Sequence, residues 1–480
     1  MSYLELLKVA APEAILVVTA LVLLALGFTH NRVAPTLSAL SGLLAAAAAM
    51  LLLPGPINLG AMLVHSSLNS LFAIICLVLA FGTVLLTHAE LWLKHRAEYQ
   101  ALILFATVGL MVLIRAEELL TIFIGLELLG LSLYVLVAFD KADIRSAEAG
   151  LKYFLFGSTA SAFTLFGISL IYGTSGTTTL SLIASSESPT SPLLAAGIVM
   201  TLVGFAFKIA AAPFHLWAPD AYEAAPVPSA AFIASASKVA SFVVLGKIVL
   251  IGFAQVRGSA DWHGMVAGWK PLLAVLATFS ILLGNFVALA QTHVRRLLAY
   301  SAVAHAGYAL LGLVAGGGRG FAATLFYITI YAATLLGAFG VCAVVRHQAG
   351  GDSLANFSGL RARSPLLAGC MAVFVLSLAG LPPLAGFFGK FYLFSAAVAG
   401  GHNQGLLWLV AVALFGSLIS LYYYLIVLKA IFIDQPHSAA SKFAAPHFLQ
   451  TFTIFVLALA VIFFGLAPAP LLVRIIDATP

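Results

Sequence analysis

Hydrophobic runs of about 20 residues follow one another from near residue 12 to near residue 474, each long enough to cross a bilayer as a helix. Of the 480 residues, 62% are hydrophobic and 8% charged. A soluble domain of this size cannot bury that much apolar surface, so the pattern predicts an all-α polytopic membrane protein. Hydropathy places about fourteen spans. They lie near 12–29, 34–53, 70–89, 99–114, 116–139, 148–172, 194–212, 228–253, 271–291, 297–315, 320–345, 366–396, 405–433 and 448–474. Between them, 173–193 and 347–364 are polar loops, and no segment has the make-up of a soluble domain.

Loop charge sets the expected orientation. With the N-terminus outside, Arg32, Lys94, Arg96, Lys141, Arg145, Arg295, Arg296, Arg346, Arg361, Arg363, Lys429 and Lys442 face inward. Lys8, Arg115, Arg257, Lys270, Arg319 and Arg474 face outward. This excess of inward basic residues puts both termini outside. The N-terminus has no basic n-region with a cleavage site, so the first run reads as a retained helix. The net charge of +6 comes without a basic patch interleaved with aromatics, which argues against nucleic acid. Cys76, Cys342 and Cys370 fall inside spans without metal-ligand spacing and read as small apolar fillers.

Several charges sit where charge is expensive. Lys208 lies in Gly204-Phe205-Ala206-Phe207-Lys208-Ile209-Ala210-Ala211-Ala212-Pro213-Phe214-His215, and Lys390 in Leu381-Pro382-Pro383-Leu384-Ala385-Gly386-Phe387-Phe388-Gly389-Lys390. Both lysines neighbour proline, which breaks helices. Broken backbone and ionisable groups at membrane depth mark ion paths. Glu127 lies about a dozen residues into the fifth span. An ammonium such as Lys208 about 8 Å away would interact with it by about 2 kcal/mol at an effective dielectric near 20. Burial disfavours a lysine's charge and a carboxylate favours it, so a balanced lysine exchanges its proton when its partner moves. Lys238 stands among small residues in the eighth span, with room for ordered water between it and Lys208. His305 and His215 are further candidates, since histidine titrates near neutral pH. Lys152 is placed near Glu127 as a modulator or at a helix end. Lys247 is expected to snorkel. Tyr422, Tyr423 and Tyr424 read as packing or an interface belt. Asp220 and Glu223 read as loop acids, solvated or bracketing a proton entrance.

Lys208 and Lys390 are about 182 residues apart, and the same offset carries Glu127 close to His305. A displacement of five spans inverts topology, so two inverted repeats with broken seventh and twelfth helices are expected. The expected division is 1–98 for the first three helices, 99–253 and 254–434 for the two repeats, and 435–480 for the last helix. No Walker motif, dinucleotide fingerprint, metal-ligand cluster or nucleophile triad is visible. The parts are for moving charge, not for redox chemistry.

At these residues the chain resembles the antiporter-like subunits of respiratory complex I over about residues 10 to 474. The matching segments are Gly125-Leu126-Glu127-Leu128, Glu148-Ala149-Gly150-Leu151-Lys152-Tyr153-Phe154, Pro213 through Tyr222, Ala236-Ser237-Lys238, Arg295 through Ser301, and Leu381-Pro382-Pro383 through Lys390-Phe391-Tyr392. The resemblance implies fourteen core helices and a proton channel carried by Glu127, Lys208, Lys238 and Lys390. Gly389-Lys390-Phe391-Tyr392 resembles the N-type branch. An M-type chain would have Gly-Glu there, and an L-type chain Ser-Lys-Asp-Glu with a long lateral helix. The implied host is an NADH:quinone oxidoreductase of a bacterial inner (plasma) membrane. Its partners would be an M-type antiporter-like subunit, small K-type and J-type subunits, and membrane lipid. FMN, iron–sulfur clusters and quinone are expected in those other subunits, with no cofactor in this chain. The alternatives are a cation/proton antiporter subunit, or a membrane subunit of a related hydrogenase or ferredoxin-linked complex. Neighbouring genes would separate them.

Overall fold

The computed structural model describes residues 7–479 except 30–32, 54, 56, 60, 89, 91–92, 186–190, 401–403 and 436–446. Helices make up nearly all of it. They are α1 (Ala11–Leu26), α2 (Ala34–Leu52), α3 (Ser67–Thr87), α4 (Arg96–Arg115), α5 (Leu119–Val137), α6 (Ile144–Ser175), α7 (Pro192–Lys208) and α8 (Trp217–Ala224). α9 (Val227–Gly252), α10 (Trp269–Leu289), α11 (Val294–Ala315), α12 (Gly317–Ala349), α13 (Pro365–Ala379), α14 (Ala385–Gly400), α15 (Leu407–Phe432), α16 (Phe448–Leu466) and α17 (Ala469–Ala478) follow. Among the described residues, 11 helices are long and apolar enough to cross a membrane, and α1, α7, α13 and α14 are shorter apolar helices. A short antiparallel pair, Ile57–Leu59 with Leu63–His65, is the one sheet among the described residues.

Local chemistry sets many of the ends. Prolines stand in the first turns of α1, α2, α7 and α13, where the missing N–H has no partner to lose. Ser66 caps α3 by accepting from the Asn69 N–H, and Asp143 caps α6 by accepting from Arg145. Nearly every position of α9, α11 and α12 is buried, whereas most of α6 and α16 faces outward. Helices apolar all round belong in the centre of a membrane protein, surrounded by other helices. The candidate lysines and His305 are carried by or packed against these three.

The seventh and twelfth hydrophobic stretches are broken. α7 ends at Lys208 and α8 begins at Trp217; α13 ends at Ala379 and α14 begins at Ala385. The breaks contain cis peptide bonds at Ala212–Pro213 and Pro382–Pro383. The freed backbone groups find protein partners. Trp217 Nε1 donates to the Phe207 carbonyl at 3.0 Å, and Ser280 Oγ accepts from the Ala212 N–H at 2.9 Å. In the second break, Ser377 Oγ accepts from the Gly386 N–H at 3.2 Å, and Lys390 Nζ donates to the Ala379 carbonyl at 3.0 Å. Protein thus supplies the hydrogen bonds that lipid cannot.

Several sequence expectations are corrected. The last stretch, 448–474, is not one helix: α16 stops at Leu466, and the amphipathic α17 follows with Pro468 as its N-cap and Pro470 in its first turn. The polar loops hold short helices at Leu180–Ala184, Leu354–Phe357 and Leu360–Arg363. Asp220 and Glu223 lie on a helix, α8, and not on a loop. Arg32, Lys442, residues 1–6 and part of the 173–193 loop lie outside the described residues. The three cysteines are buried and unpaired.

Gly380 closes α13 in the left-handed region with φ +86°, and a Cβ there would stand 2.9 Å from Lys390 Cδ. Gly380→Ala should therefore cost about 1–2 kcal/mol of backbone energy and displace the Lys390 stem. The check is the thermal midpoint of the purified chain in detergent, which should fall. An unchanged midpoint would mean the turn relaxes freely.

Candidate functional site

The first group forms where α5, α6 and α7 meet. Gly204, one turn before Lys208, has no room for a Cβ because Thr164 of α6 occupies the space. Gly125 of α5 lies equally close to α4, where a Cβ would sit 2.9 Å from the Leu113 nitrogen. Small residues at such crossings bring membrane helices together. In the gap they leave, Glu127, Ser161, Thr164, Gly204 and Lys208 line a cavity of about 20 Å³, room for about one water. Ser161 Oγ donates to Glu127 Oε1. Lys208 is buried, at 5% exposure. The carboxylate and the ammonium therefore face one small polar space.

The second group is larger and lies among α9, α10, α11, α12, α14 and α15. Lys238 is the first residue after a π-helical turn, Ile233–Ser237, a distortion common at functional sites. Its Nζ donates to the Ala302 carbonyl at 2.5 Å and lies 5.4 Å from the Tyr331 ring centre. The His305 ring is 4.9 Å from that of Tyr331. His305 Nδ1 meets the Tyr327 hydroxyl at 2.5 Å and Nε2 the Tyr424 hydroxyl at 3.1 Å. Tyr424 also bonds Ser301. On the other side of the histidine, the Tyr308 ring is 5.6 Å away and lies 5.1 Å from Lys390 Nζ. Lys390 donates to Ser417 Oγ at 2.8 Å as well as to Ala379. Asn285 ties the tyrosines together, donating to Tyr308 at 3.0 Å and accepting from Tyr423 at 3.0 Å. Lys238, Tyr331, His305, Tyr308 and Lys390 thus form one buried succession, with cation–π contacts at its two ends and ring contacts between.

The remaining candidates lie elsewhere. Lys152 is not beside Glu127. It is nine residues before Ser161 on α6, about 13 Å along the axis, and pairs with Glu148 at 2.7 Å and Asp220 at 2.9 Å. Arg296 bridges Asp220 at 3.0 Å and Glu223 at 2.8 Å, so neither acid is a free solvated one. Burial opposes the charge of Asp220, yet hydrogen bonds from Lys152 and Arg296 hold its pKa below the ordinary value. These groups line a cavity of about 390 Å³ with Arg145, His293, Arg295, Arg346 and Asp352. Arg295 is buried against Asp352 and the Ala225 carbonyl, a structural role beyond orientation. His215 is buried at 4% exposure and is not among the residues lining the Glu127–Lys208 cavity. Its Nδ1 has no hydrogen-bond partner among the described residues. Lys247 does not snorkel; it is 2% exposed and fully hydrogen-bonded. Tyr422 is 63% exposed, as a belt residue would be, but Tyr423 and Tyr424 belong to the buried network. Sequence reading missed Ser161, Asn285, Tyr308, Tyr327, Tyr331 and Ser417. Tyr327 and Tyr331 had a signal: they are spaced i, i+4 in an apolar helix, on one face.

The transmembrane-family model described as NADH:quinone oxidoreductase/Mrp antiporter matches residues 116–420. NADH-quinone oxidoreductase subunit N 2 of Acidobacterium capsulatum is 46% identical over 97% of this chain and 98% of its own length. The chain belongs to the NADH-quinone oxidoreductase subunit N family. Among solved structures, this subunit N family member superposes on a chain of respiratory complex I from Thermus thermophilus with TM-score 0.81 and 34% identity, covering 96% of this chain and 98% of that one. A chain of the Mrp complex from Dietzia has TM-score 0.84 at 22% identity, over 98% and 97% of the two chains; that likeness shows a shared fold.

Asn285 holds two buried hydroxyls, so Asn285→Leu should leave Tyr308 and Tyr423 each short of a partner. An unsatisfied buried group costs about 1–3 kcal/mol. The thermal midpoint should fall, and more than in a Tyr423→Phe/Asn285→Leu double variant, where one orphan is removed. Equal midpoints would show that the amide does not hold the network.

Proposed function

We propose that this chain is a proton-translocating subunit of the membrane arm of NADH:quinone oxidoreductase, driven by quinone reduction in other subunits. The observation that carries the reading is the sequence of exchangeable groups, half-buried at Glu127 and buried at Lys208, Lys238, His305 and Lys390. Glu127 and Lys208 share one water-sized cavity, and Lys238, His305 and Lys390 are joined through Tyr331 and Tyr308. Each of these charges would be costly in an apolar interior without a task. In the proposed sequence, Glu127 sets the charge of Lys208, Lys238 receives the proton through water, His305 passes it on, and Lys390 delivers it to the outside or to the next subunit. His215 and Lys152 take supporting places, His215 at the first break and Lys152 at the inner mouth with Asp220. FMN, iron–sulfur clusters and quinone belong to partner subunits in this reading. The partners are an M-type antiporter-like subunit, small K-type and J-type subunits, and lipid of a bacterial inner membrane.

The proposed topology has fourteen crossings with both termini outside. Residues 1–98 precede two inverted five-helix repeats, 99–253 and 254–434, and 435–480 follows them. Packing supports the repeats: α4 lies along α5 and α6 along α7, as α10 lies along α11 and α12 along α14. The rival reading, a cation/proton antiporter subunit, rests on a likeness of fold at 22% identity, against 46% identity to a subunit N.

Arginine keeps its proton at any working pH, so it can replace a fixed charge but not a relay member. Lys390→Arg should impair pumping nearly as much as Lys390→Ala, while Lys390→Glu, which titrates, retains part of it. The measurement is proton uptake per NADH oxidised in vesicles reconstituted with each assembled variant. Full pumping by Lys390→Arg would show that Lys390 never releases its proton.

A further inference from the structure

Lys247 is a buried charge that the relay does not use. Four oxygens from two parts of the chain, Asn69 and the stretch 114–117, surround its Nζ. They are Asn69 Oδ1 at 3.3 Å, the Ile114 carbonyl at 3.1 Å, the Ala116 carbonyl at 2.9 Å and Glu117 Oε1 at 3.5 Å. The two carbonyls lie at the C-terminal end of α4, where backbone oxygens lack helical partners and the helix dipole favours a cation. Asn69 is itself held, donating from Nδ2 to the Val64 carbonyl at 2.9 Å. Such a cage fixes where the Lys247 Nζ sits. Beyond it, Lys247 lines a cavity of about 220 Å³ with Arg257, Gly317, Gly318 and Phe321.

The position of this cage on α9 gives it a use. After a first α-helical segment, Val227–Phe232, α9 has a second from Lys238 to Lys247, with π-helical turns directly before it, Ile233–Ser237, and directly after it, Ile248–Gly252. The two lysines are the first and last residues of that segment. Nine residues separate them, about 13 Å of rise and about two and a half turns, so they project from opposite faces. A wide turn at each end relaxes the i→i−4 register that would otherwise fix how the segment is rotated. Something else must fix it. Lys238 needs that rotation held, because its contacts are single ones, the Ala302 carbonyl on α11 and the Tyr331 ring on α12.

We propose that Lys247 is a positioning residue: its oxygen cage locks the rotation of the Lys238–Lys247 segment and so holds Lys238 in line with Tyr331 and His305. This rests on the reading of Lys238 as a relay member. The cage ties α9 to α3 through Asn69 and to the end of α4 through the Ile114 and Ala116 carbonyls.

A double-mutant cycle tests this, since coupled residues are non-additive and independent ones add. Lys247→Met, Lys238→Ala and the double variant are compared with the unaltered complex by protons taken up per NADH in reconstituted vesicles. Assembly is followed by the amount of intact complex purified. Lys247→Met should lower the proton ratio about twofold or more in the unaltered background and have little effect once Lys238 is alanine. Lys247→Arg, which keeps the charge in the cage, should restore most of the ratio. If Lys247→Met does not assemble, Asn69→Leu and Glu117→Gln, each removing one cage oxygen, take its place in the cycle. An equal loss in both backgrounds, or no loss, overturns the proposal. Normal pumping by Lys238→Ala instead overturns the reading of Lys238 on which it stands.

Discussion

Backbone freed at membrane depth must find hydrogen bonds in protein, and the two broken helices turn that need into a site. At the second break, Lys390 meets part of it directly by donating to the Ala379 carbonyl. At the first, Trp217 and Ser280 do so and leave Lys208 to face the cavity it shares with Glu127. Lys390, beside the helix end, recovers from the Ala379 carbonyl part of what it loses on leaving water. The break and the charge each make the other tolerable. Everything between them depends on this arrangement, because a continuous helix at either place would offer no free carbonyl and no gap.

The space between the two breaks is filled by helices buried all round, α9, α11 and α12, whose polar groups mostly bond one another; the Tyr331 hydroxyl has no hydrogen-bond partner among the described residues. His305 is bonded at both ring nitrogens. Asn285 serves two tyrosines. In a low-dielectric interior such networks are strong when complete and costly when broken. That accounts for the number of hydroxyls around a single histidine. In the proposed relay, these closely spaced donors and acceptors would pass a proton by rearranging, without moving a helix far.

Much of this was legible in the sequence, for a physical reason. A lone charge in an apolar run is conspicuous, so Glu127, Lys208, Lys238 and Lys390 stood out, and proline marked both breaks. Tyrosine is not conspicuous, since the same residue serves a core, an interface belt or a network. Tyr424 therefore reads as packing or an interface belt, although its hydroxyl bonds His305. Lys247 was misread because a lysine near a helix end usually reaches for water. Its partners, Asn69, Ile114 and Ala116, are far away in sequence. Of the two readings of Lys152, a modulator near Glu127 or a helix-end lysine, the structure sets aside the first: it pairs with Glu148 one turn away and with Asp220, which arrives from α8 after the break. Charge in a span is a local signal, and the identity of its partner is not.

The central claim is that these groups act in series as one relay. Groups in series fail together, so a second interruption adds nothing to the first, whereas independent contributions multiply. The direct measurement is protons translocated per NADH for Glu127→Gln, Lys390→Met and the combined variant in reconstituted, fully assembled complex. The account predicts that the combined variant pumps as well as the worse of the two single ones. A combined loss equal to the product of the separate losses would contradict it.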